Sequence, residues 1–343
     1  MPGSEQYAYA VGRIRAMENR LFGKSLIERL IDAPTPAACL PILVDAGYPP
    51  FEGSGVPAVR AYVKSLELCE ANVIADLKSF VPEPELFNIF SLKNDYFNGK
   101  LIIKSINNPE NEVDLSDYGT ISAKAIKYAF VEGKYDSLPG NMKNAAKAAI
   151  DQLAITGKAQ FAELILDKAY FDDCYDICKK AARRDTRKFL KAFIQMQADL
   201  ANITTMLRIR QRNMNDKMGL ELMQKAYVRG GISQEIFEKA LCEDSLKMTA
   251  LFEKTPYEKI ISDGLARYEV TNSLSYFEKL CDDFVMLYLT QAGRNPFGIE
   301  ALLAFAVGRM REITNIRLVL IGKLNNLQTV AIRERIRELR VKK

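Results

Sequence analysis

Apolar residues recur at steps of three and four along most of this chain. The clearest stripe is Leu302, Ala306, Met310, Ile313, Ile316 and Leu320, which follows one face of a helix. It is preceded by a turn signal, Gly293 then Asn295-Pro296 and Gly298, and no Asp, Pro or Gly interrupts Ile299 to Val307. A second stripe, Val59, Val63, Leu66, Val73, Leu77 and Phe80, predicts a long helix that stops at Pro82 and Pro84. Tyr7 to Ile31 reads as one amphipathic run with Leu21, Leu26 and Leu30, and a further helix near the prolines carries Leu86, Phe90 and Leu101. Asn107 to Gly119 is a polar connection. Between Pro139 and Pro256 there is no proline, and the expected breaks are Asn213-Met214-Asn215-Asp216 and Gly230-Gly231. Another helical run covers roughly Tyr268 to Thr290. No stretch alternates with period two at strand length. Arg317 to Gly322 is the one β-like run, and it continues a helical stripe, so the pattern predicts an all-α protein.

The pattern also repeats. When Asn98, Asn202 and Asn315 are superimposed, leucine stands twelve residues before each (Leu86, Leu190, Leu303) and Phe90, Ile194 and Val307 stand eight before. Three before each is an acid: Asp95, Asp199, Glu312. Four and five after are Ile102 and Ile103, Met206 and Leu207, Val319 and Leu320. These spacings put the apolar set on one helical face, and an acid three residues back can reach the asparagine across one turn. The asparagines are 104 and 113 residues apart, which suits whole helical units of roughly 1–115, 116–230 and 231–343.

Composition narrows the chemistry. With 343 residues, 48% apolar and 27% charged, this is an ordinary globular composition with length for a large core. No uncharged run approaches the roughly 18 residues of a membrane helix, and no basic segment precedes an apolar core at the N-terminus, so a cytosolic location is expected. There is no histidine, which excludes imidazole bases, Ser-His-Asp and Cys-His pairs and HExxH sites. Of six cysteines only Cys174 and Cys178 are close, at the spacing of neighbours on a helix face, and reduced structural thiols are expected rather than a metal site. Gly23-Lys24-Ser25 could end a phosphate loop, but Glu18 stands where its first glycine belongs and the preceding segment reads as helix. Asp172-Asp173 and Asp282-Asp283 are adjacent acids, which diverge by about 100° on a helix and cannot share one reaction centre.

Charge is uneven. Arg309 to Lys343 holds ten basic and three acidic residues, a net of +7 against +5 for the whole chain, so residues 1–308 net −2. The tail reads as an amphipathic helix with Ile332, Ile336 and Leu339 on one stripe and Arg333, Arg335, Arg337 and Arg340 around it. A solvated face, a contact with a protein partner or an anionic membrane, and nucleic-acid binding are the three readings open for it.

Several stretches resemble one known family. PFGIEALLAF from Pro296, EITNIR from Glu312, GKLNNL from Gly322 and IRERIREL from Ile332 look like the C-terminal signature of the C subunit of the archaeal/vacuolar-type rotary ATPases, whose eukaryotic relative is called the d subunit. KNDYFNGKLIIKS, QADLANITTMLRIRQR and REITNIRLVLIGK are similar to its repeated motif, and YAYAVGRIRAMENRLF resembles its opening helix. Gly99 departs from the pattern where an apolar residue is expected, and Thr204 departs where Lys100 and Arg317 supply a base. The resemblance implies three similar helical units around a pseudo-threefold axis, forming a funnel. It implies a non-catalytic subunit that uses no cofactor, metal or small-molecule substrate. Its partners would be the D- and F-type central shaft subunits and the membrane proteolipid rotor ring, and it would lie on the cytoplasmic face. A helical scaffold outside rotary ATPases and a basic nucleic-acid-binding protein are the alternatives.

Overall fold

The structure, a computed structural model, describes residues 6–18, 21, 23–108, 110, 113–212 and 216–339. The period of three and four is realised throughout: the described residues form sixteen α-helices and two short 3-10 turns, with no strand among them. In chain order the first four are α1 (Ala8–Glu18), α2 (Lys24–Asp32), α3 (Cys39–Asp45) and α4 (Gly55–Lys78). Next come α5 (Asn88–Asn107), α6 (Ala123–Val131), α7 (Met142–Thr156), α8 (Ala159–Lys180), α9 (Arg184–Gln211) and α10 (Asp216–Ala226). They are followed by α11 (Gln234–Cys242), α12 (Ser245–Leu251), α13 (Glu258–Thr271), α14 (Ser275–Ala292), α15 (Ile299–Leu324) and α16 (Thr329–Arg335). No helix among the described residues is long and apolar enough to cross a membrane.

The contacts divide the chain into two compact units, one of residues 1–84 with 266–343 and one of residues 85–265. In the first, α15 packs on α1, α2, α4 and α14. Its Ile313, Ile316, Val319 and Leu320 meet Leu26, Leu30, Leu43, Val59, Tyr62 and Leu66 in one apolar cluster. Five of the six stripe residues of α15 are buried, while Met310 is half-buried. From Ile299 to Ala306 the helix is buried nearly all round, as expected of a central element. In the second unit α8 packs on α5, α7, α9 and α10. The buried Ala145, Ala146 and Ala149 of α7 are small enough to let the α7 and α8 backbones approach closely. Gly99 has a packing cause of the same kind: a Cβ there would lie 3.1 Å from Leu166 Cδ1 and 3.2 Å from Phe130 Cζ.

Three expected helices are cut differently. The run from Tyr7 to Ile31 is two helices, because Gly23 is extended (φ −89°, ψ −177°) before α2. The run from Tyr268 to Thr290 is interrupted where Asn272 takes a left-handed φ of 50°, a conformation asparagine tolerates better than most residues. The tail helix ends at Arg335, and Ile336 is extended (φ −64°, ψ 129°), so Ile336 and Leu339 reach the apolar cluster from a strap rather than from a helix face. Of the expected breaks, Gly230-Gly231 separates α10 from α11, while Asn213-Met214-Asn215 lies outside the described residues.

Ile316 is fully buried at the centre of the first cluster. Truncating Ile316→Ala is expected to cost about 2–5 kcal/mol in chemical denaturation with secondary structure retained. A loss under about 1 kcal/mol would show that α15 is not the keystone of that core.

Candidate functional site

Ten polar or charged residues are buried among those described, and six of them are the repeat set: Asp95, Asn98, Asp199, Asn202, Glu312 and Asn315. Each pair sits mid-helix, on α5, α9 and α15, within the same apolar frame. The leucine twelve residues before the asparagine and the residues four and five after it are buried in all three, while the residue eight before is fully buried only as Ile194. An interior that buries so many polar atoms must satisfy them.

The asparagines do so in one way. Asn98 Nδ2 donates to the Ser116 carbonyl at 2.7 Å, and Asn98 Oδ1 accepts from the Ser116 N–H at 2.9 Å. Asn202 makes the same two bonds with Val228, at 2.7 and 3.0 Å. Asn315 makes them with Arg337, both at 2.9 Å. A side-chain amide has the donor and acceptor of a peptide group, so it can pair with both backbone groups of one extended residue. The captured residues lie 18, 26 and 22 positions downstream.

Two of the acids fix the same returning segments a few residues on. Asp95 accepts from the N–H groups of Thr120 and Ile121 and from Thr120 Oγ1 at 2.5 Å. Asp199 accepts from the N–H groups of Gly231 and Ile232, at 2.9 and 3.0 Å, and from the Tyr257 hydroxyl at 3.1 Å. The third, Glu312, accepts from the Tyr48 hydroxyl and Arg309 instead, both at 2.6 Å. The acid of Asp95-x-x-Asn98 and Asp199-x-x-Asn202 therefore does not close on its own asparagine across a helical turn. The two side chains grip successive stations of one loop. Burial raises the Asp95 and Asp199 carboxyls, and the hydrogen bonds they accept oppose this only in part. Burial also raises the Tyr48 hydroxyl, with Glu312 adding to the effect.

The loop residues lie outside a repeat defined on helices, yet they carry a signal. Gly119-Thr120-Ile121-Ser122 and Gly230-Gly231-Ile232-Ser233 are matching quartets, each just before a helix, α6 and α11. Gly119 and Gly230 are required by close approach, since a Cβ on either would overlap the carboxylate of Asp95 or Asp199. The basic position resolves as well. Lys100 pairs with Asp167 of α8 at 2.5 Å and Arg317 with Glu70 of α4 at 3.1 Å, whereas Thr204 turns back to the Leu200 carbonyl of its own helix.

The tail arginines are placed as follows. Arg333 pairs with Glu28 and Asp32 at 3.1 and 2.7 Å, and Arg337 pairs with Asp282 at 2.9 Å. Arg335 is half-exposed at the end of α16, and Arg340 lies outside the described residues. The adjacent acids diverge into structural duties. Asp173 accepts from the Tyr96 hydroxyl and the Asn141 N–H, Asp282 holds Arg311 and Arg337, and Asp283 accepts from the Glu338 N–H. Burial pushes Cys174 up to about 12 and Cys178 up to about 11, so neither is a poised thiolate. Among the described residues no cluster of His, Cys, Asp and Glu could hold a metal ion. Lys24 pairs with Glu338 rather than sitting in a phosphate cradle.

The described residues thus define an all-helical protein that buries an acid–asparagine pair three times over. The sequence profile of the ATP synthase (C/AC39) subunit family matches residues 10–335, and this chain belongs to that family. It is similar to the C subunit of the A-type ATP synthase of Methanocaldococcus jannaschii, 22% identical over 348 aligned positions that cover 95% of this chain and 85% of the relative. It is also similar to the C subunit of the V-type sodium ATPase of Enterococcus hirae, 23% identical over 328 positions covering 95% of this chain and 96% of the relative. A third relative, the C subunit of the A-type ATP synthase of Thermococcus onnurineus, is 25% identical across 91% of this chain and 85% of its own length.

Asn202→Ala leaves the Val228 N–H and carbonyl without their partner, and should cost about 2–4 kcal/mol in denaturant titration, a few tenths of which at most would return in Asn202→Asp. A near-neutral Asn202→Ala would mean that water replaces the clamp. The acid has its own signature. A carboxyl raised in the folded state binds protons more readily folded than unfolded, so its contribution to stability grows as pH falls through the raised value toward the ordinary carboxylate range, and levels off below that. The stability advantage of the wild type over Asp95→Asn should accordingly be larger near about pH 4 than near about pH 7. The opposite trend would show the hydrogen bonds from Thr120 and Ile121 outweighing desolvation.

Proposed function

We propose that this chain is a non-catalytic central-stalk subunit of an A/V-type rotary ATPase, a socket that joins the central shaft to the membrane rotor ring and carries torque between them. Membership of the ATP synthase (C/AC39) subunit family supports the assembly. The single observation that supports the mechanical part is the clamp. Three long helices are each tied to a loop 18 to 26 residues away by paired hydrogen bonds from a buried asparagine, directional contacts that fix the loop on the helix where apolar contact alone would not. In this reading the units near 1–115, 116–230 and 231–343 form a funnel around a pseudo-threefold axis, on the cytoplasmic face of the membrane.

One shoulder of each repeat helix, formed by the residues one before and three after its asparagine, is half-exposed or exposed: Phe97 and Leu101 on α5, Ala201 and Thr205 on α9, Thr314 and Leu318 on α15. These are small or apolar, and we assign them to the D- and F-type shaft. Arg335 is the tail arginine we assign to a partner, because Arg333 and Arg337 are engaged within the chain. The subunit takes no nucleic acid, cofactor or small-molecule substrate, and it does not itself hydrolyse ATP.

Native mass spectrometry of a tagged copy drawn from detergent-solubilised host membranes should show it with shaft subunits and a proteolipid ring, and Phe97→Asp should lower recovery of the shaft without unfolding the chain. A lone monomer, or one carrying nucleic acid, would defeat the assignment. So would ATPase activity of the purified chain.

A further inference from the structure

The charge sum over residues 1–308 hides a concentrated patch. Between Lys179 and Lys191, thirteen residues hold seven cations, Lys179, Lys180, Arg183, Arg184, Arg187, Lys188 and Lys191, against the single acid Asp185. The end of α8 and the first two turns of α9 bring them together. Arg184, Arg187, Lys188 and Lys191 fall at i, i+3, i+4 and i+7, on one face, and all four are exposed. The core side of the same turns carries Thr186, Leu190, Phe193 and Ile194. Acids from neighbouring turns do not neutralise the stripe: Asp176 pairs with Lys179 at 2.6 Å, and Asp185 lies 3.9 Å from Arg183.

This is an unfavourable way to build a merely solvated face. Like charges three and four residues apart weaken a helix, and cations at its start oppose the helix dipole. The same arrangement adds the positive end of α9 to the side-chain charge and makes a strong local field for anions. A tight protein interface would centre on apolar or aromatic anchors. Among the described residues no large apolar side chain is exposed between Ile155 and Met218. The patch also lacks an exposed aromatic platform on which bases could stack.

We infer that the Lys179–Lys191 face is an electrostatic docking surface for an anionic lipid membrane, holding headgroups through Arg184, Arg187, Lys188 and Lys191. The choice of a lipid surface over other polyanions rests on the membrane-complex role proposed above. Attraction of this kind accumulates per basic residue and falls within a Debye length, so it acts only if this face comes close to the bilayer.

The test is co-sedimentation of the purified full chain with phosphatidylcholine vesicles, with and without phosphatidylserine. The wild type should partition onto the phosphatidylserine vesicles alone and release as salt rises. Arg184→Glu, Arg187→Glu, Lys188→Glu and Lys191→Glu together should weaken partitioning by about a hundredfold or more at low ionic strength. Acids suit a helix start, so this variant should keep its circular dichroism, and the four glutamine replacements serve as a second, milder variant. A wild type that ignores phosphatidylserine, or a variant that binds like the wild type, overturns the proposal. So does preferential binding of the wild type to a short RNA duplex. If the wild type ignores vesicles while the variant drops out of the rotary complex, the face serves an acidic protein instead. Failure of the membrane-complex role itself would appear separately, in whether the wild type co-purifies with a ring.

Discussion

A carboxylate and an amide placed in the middle of a buried helix must be satisfied by something, and much of this structure follows from how that is done. Their own helix has no spare donors, since its N–H groups are spent on the carbonyls four residues back. Partners must come from elsewhere in the chain, so a loop has to return to each repeat helix and offer backbone groups in extended form. The loops differ, capturing residues 18, 22 and 26 positions on, but the stations they present to the asparagines are alike. Gly119 and Gly230 sit beside the acids because the loops pass too close for a side chain. The tail obeys the same rule. An α-helix running through Arg337 would have spent the N–H that Asn315 now receives, and the chain is extended there.

Charge is used inside the chain as much as it is displayed. Arg333 and Arg337 close the strap onto α2 and α14, and Arg311, only 7% exposed, is carried by Asp282 from α14. Burial lowers the Arg311 guanidinium, and Asp282 and Asp283 oppose that shift. A buried arginine with an acid beside it costs more to break than to form, because removing either partner strands the other. The basic tail thus reads differently once folded: its sign is unchanged, but Arg333 and Arg337 are paired with acids of the same chain, while a dense exposed basic cluster lies at the start of α9.

For a part proposed to carry torque, the clamps and the exposed helix faces are complementary. Bonds that tie a helix to a distant loop limit sliding of one element on another. A shoulder of each repeat helix, Phe97 and Leu101, Ala201 and Thr205, Thr314 and Leu318, stays half-exposed or exposed and carries no charge of its own. Acid–asparagine pairs would be costly anywhere they could be left unpaired, which accounts for their position at the well-packed middle of α5, α9 and α15 rather than at helix ends.

The period of the apolar residues was enough to determine an all-helical protein, because burying one face of a helix is a local requirement written at every third and fourth position. The spacing from leucine to acid to asparagine was enough to reveal that Asp95, Asp199 and Glu312 are equivalent in position, since equivalent packing demands equivalent offsets. What those residues do was not legible, because hydrogen-bond partners as far as 264 residues away leave no periodic trace; only the paired Gly119-Thr120-Ile121-Ser122 and Gly230-Gly231-Ile232-Ser233 quartets hinted at those of Asp95 and Asp199. The breaks at Gly23 and Asn272 were missed for the opposite reason: one residue's backbone angles end a helix without disturbing the apolar stripe around it. Tertiary structure alone decided that the chain after Arg335 is a strap and that Arg333 and Arg337 are spent on ion pairs within the chain, because that outcome depends on Asn315, Glu28, Asp32 and Asp282 arriving from other helices to compete for groups that a local helix would otherwise have kept.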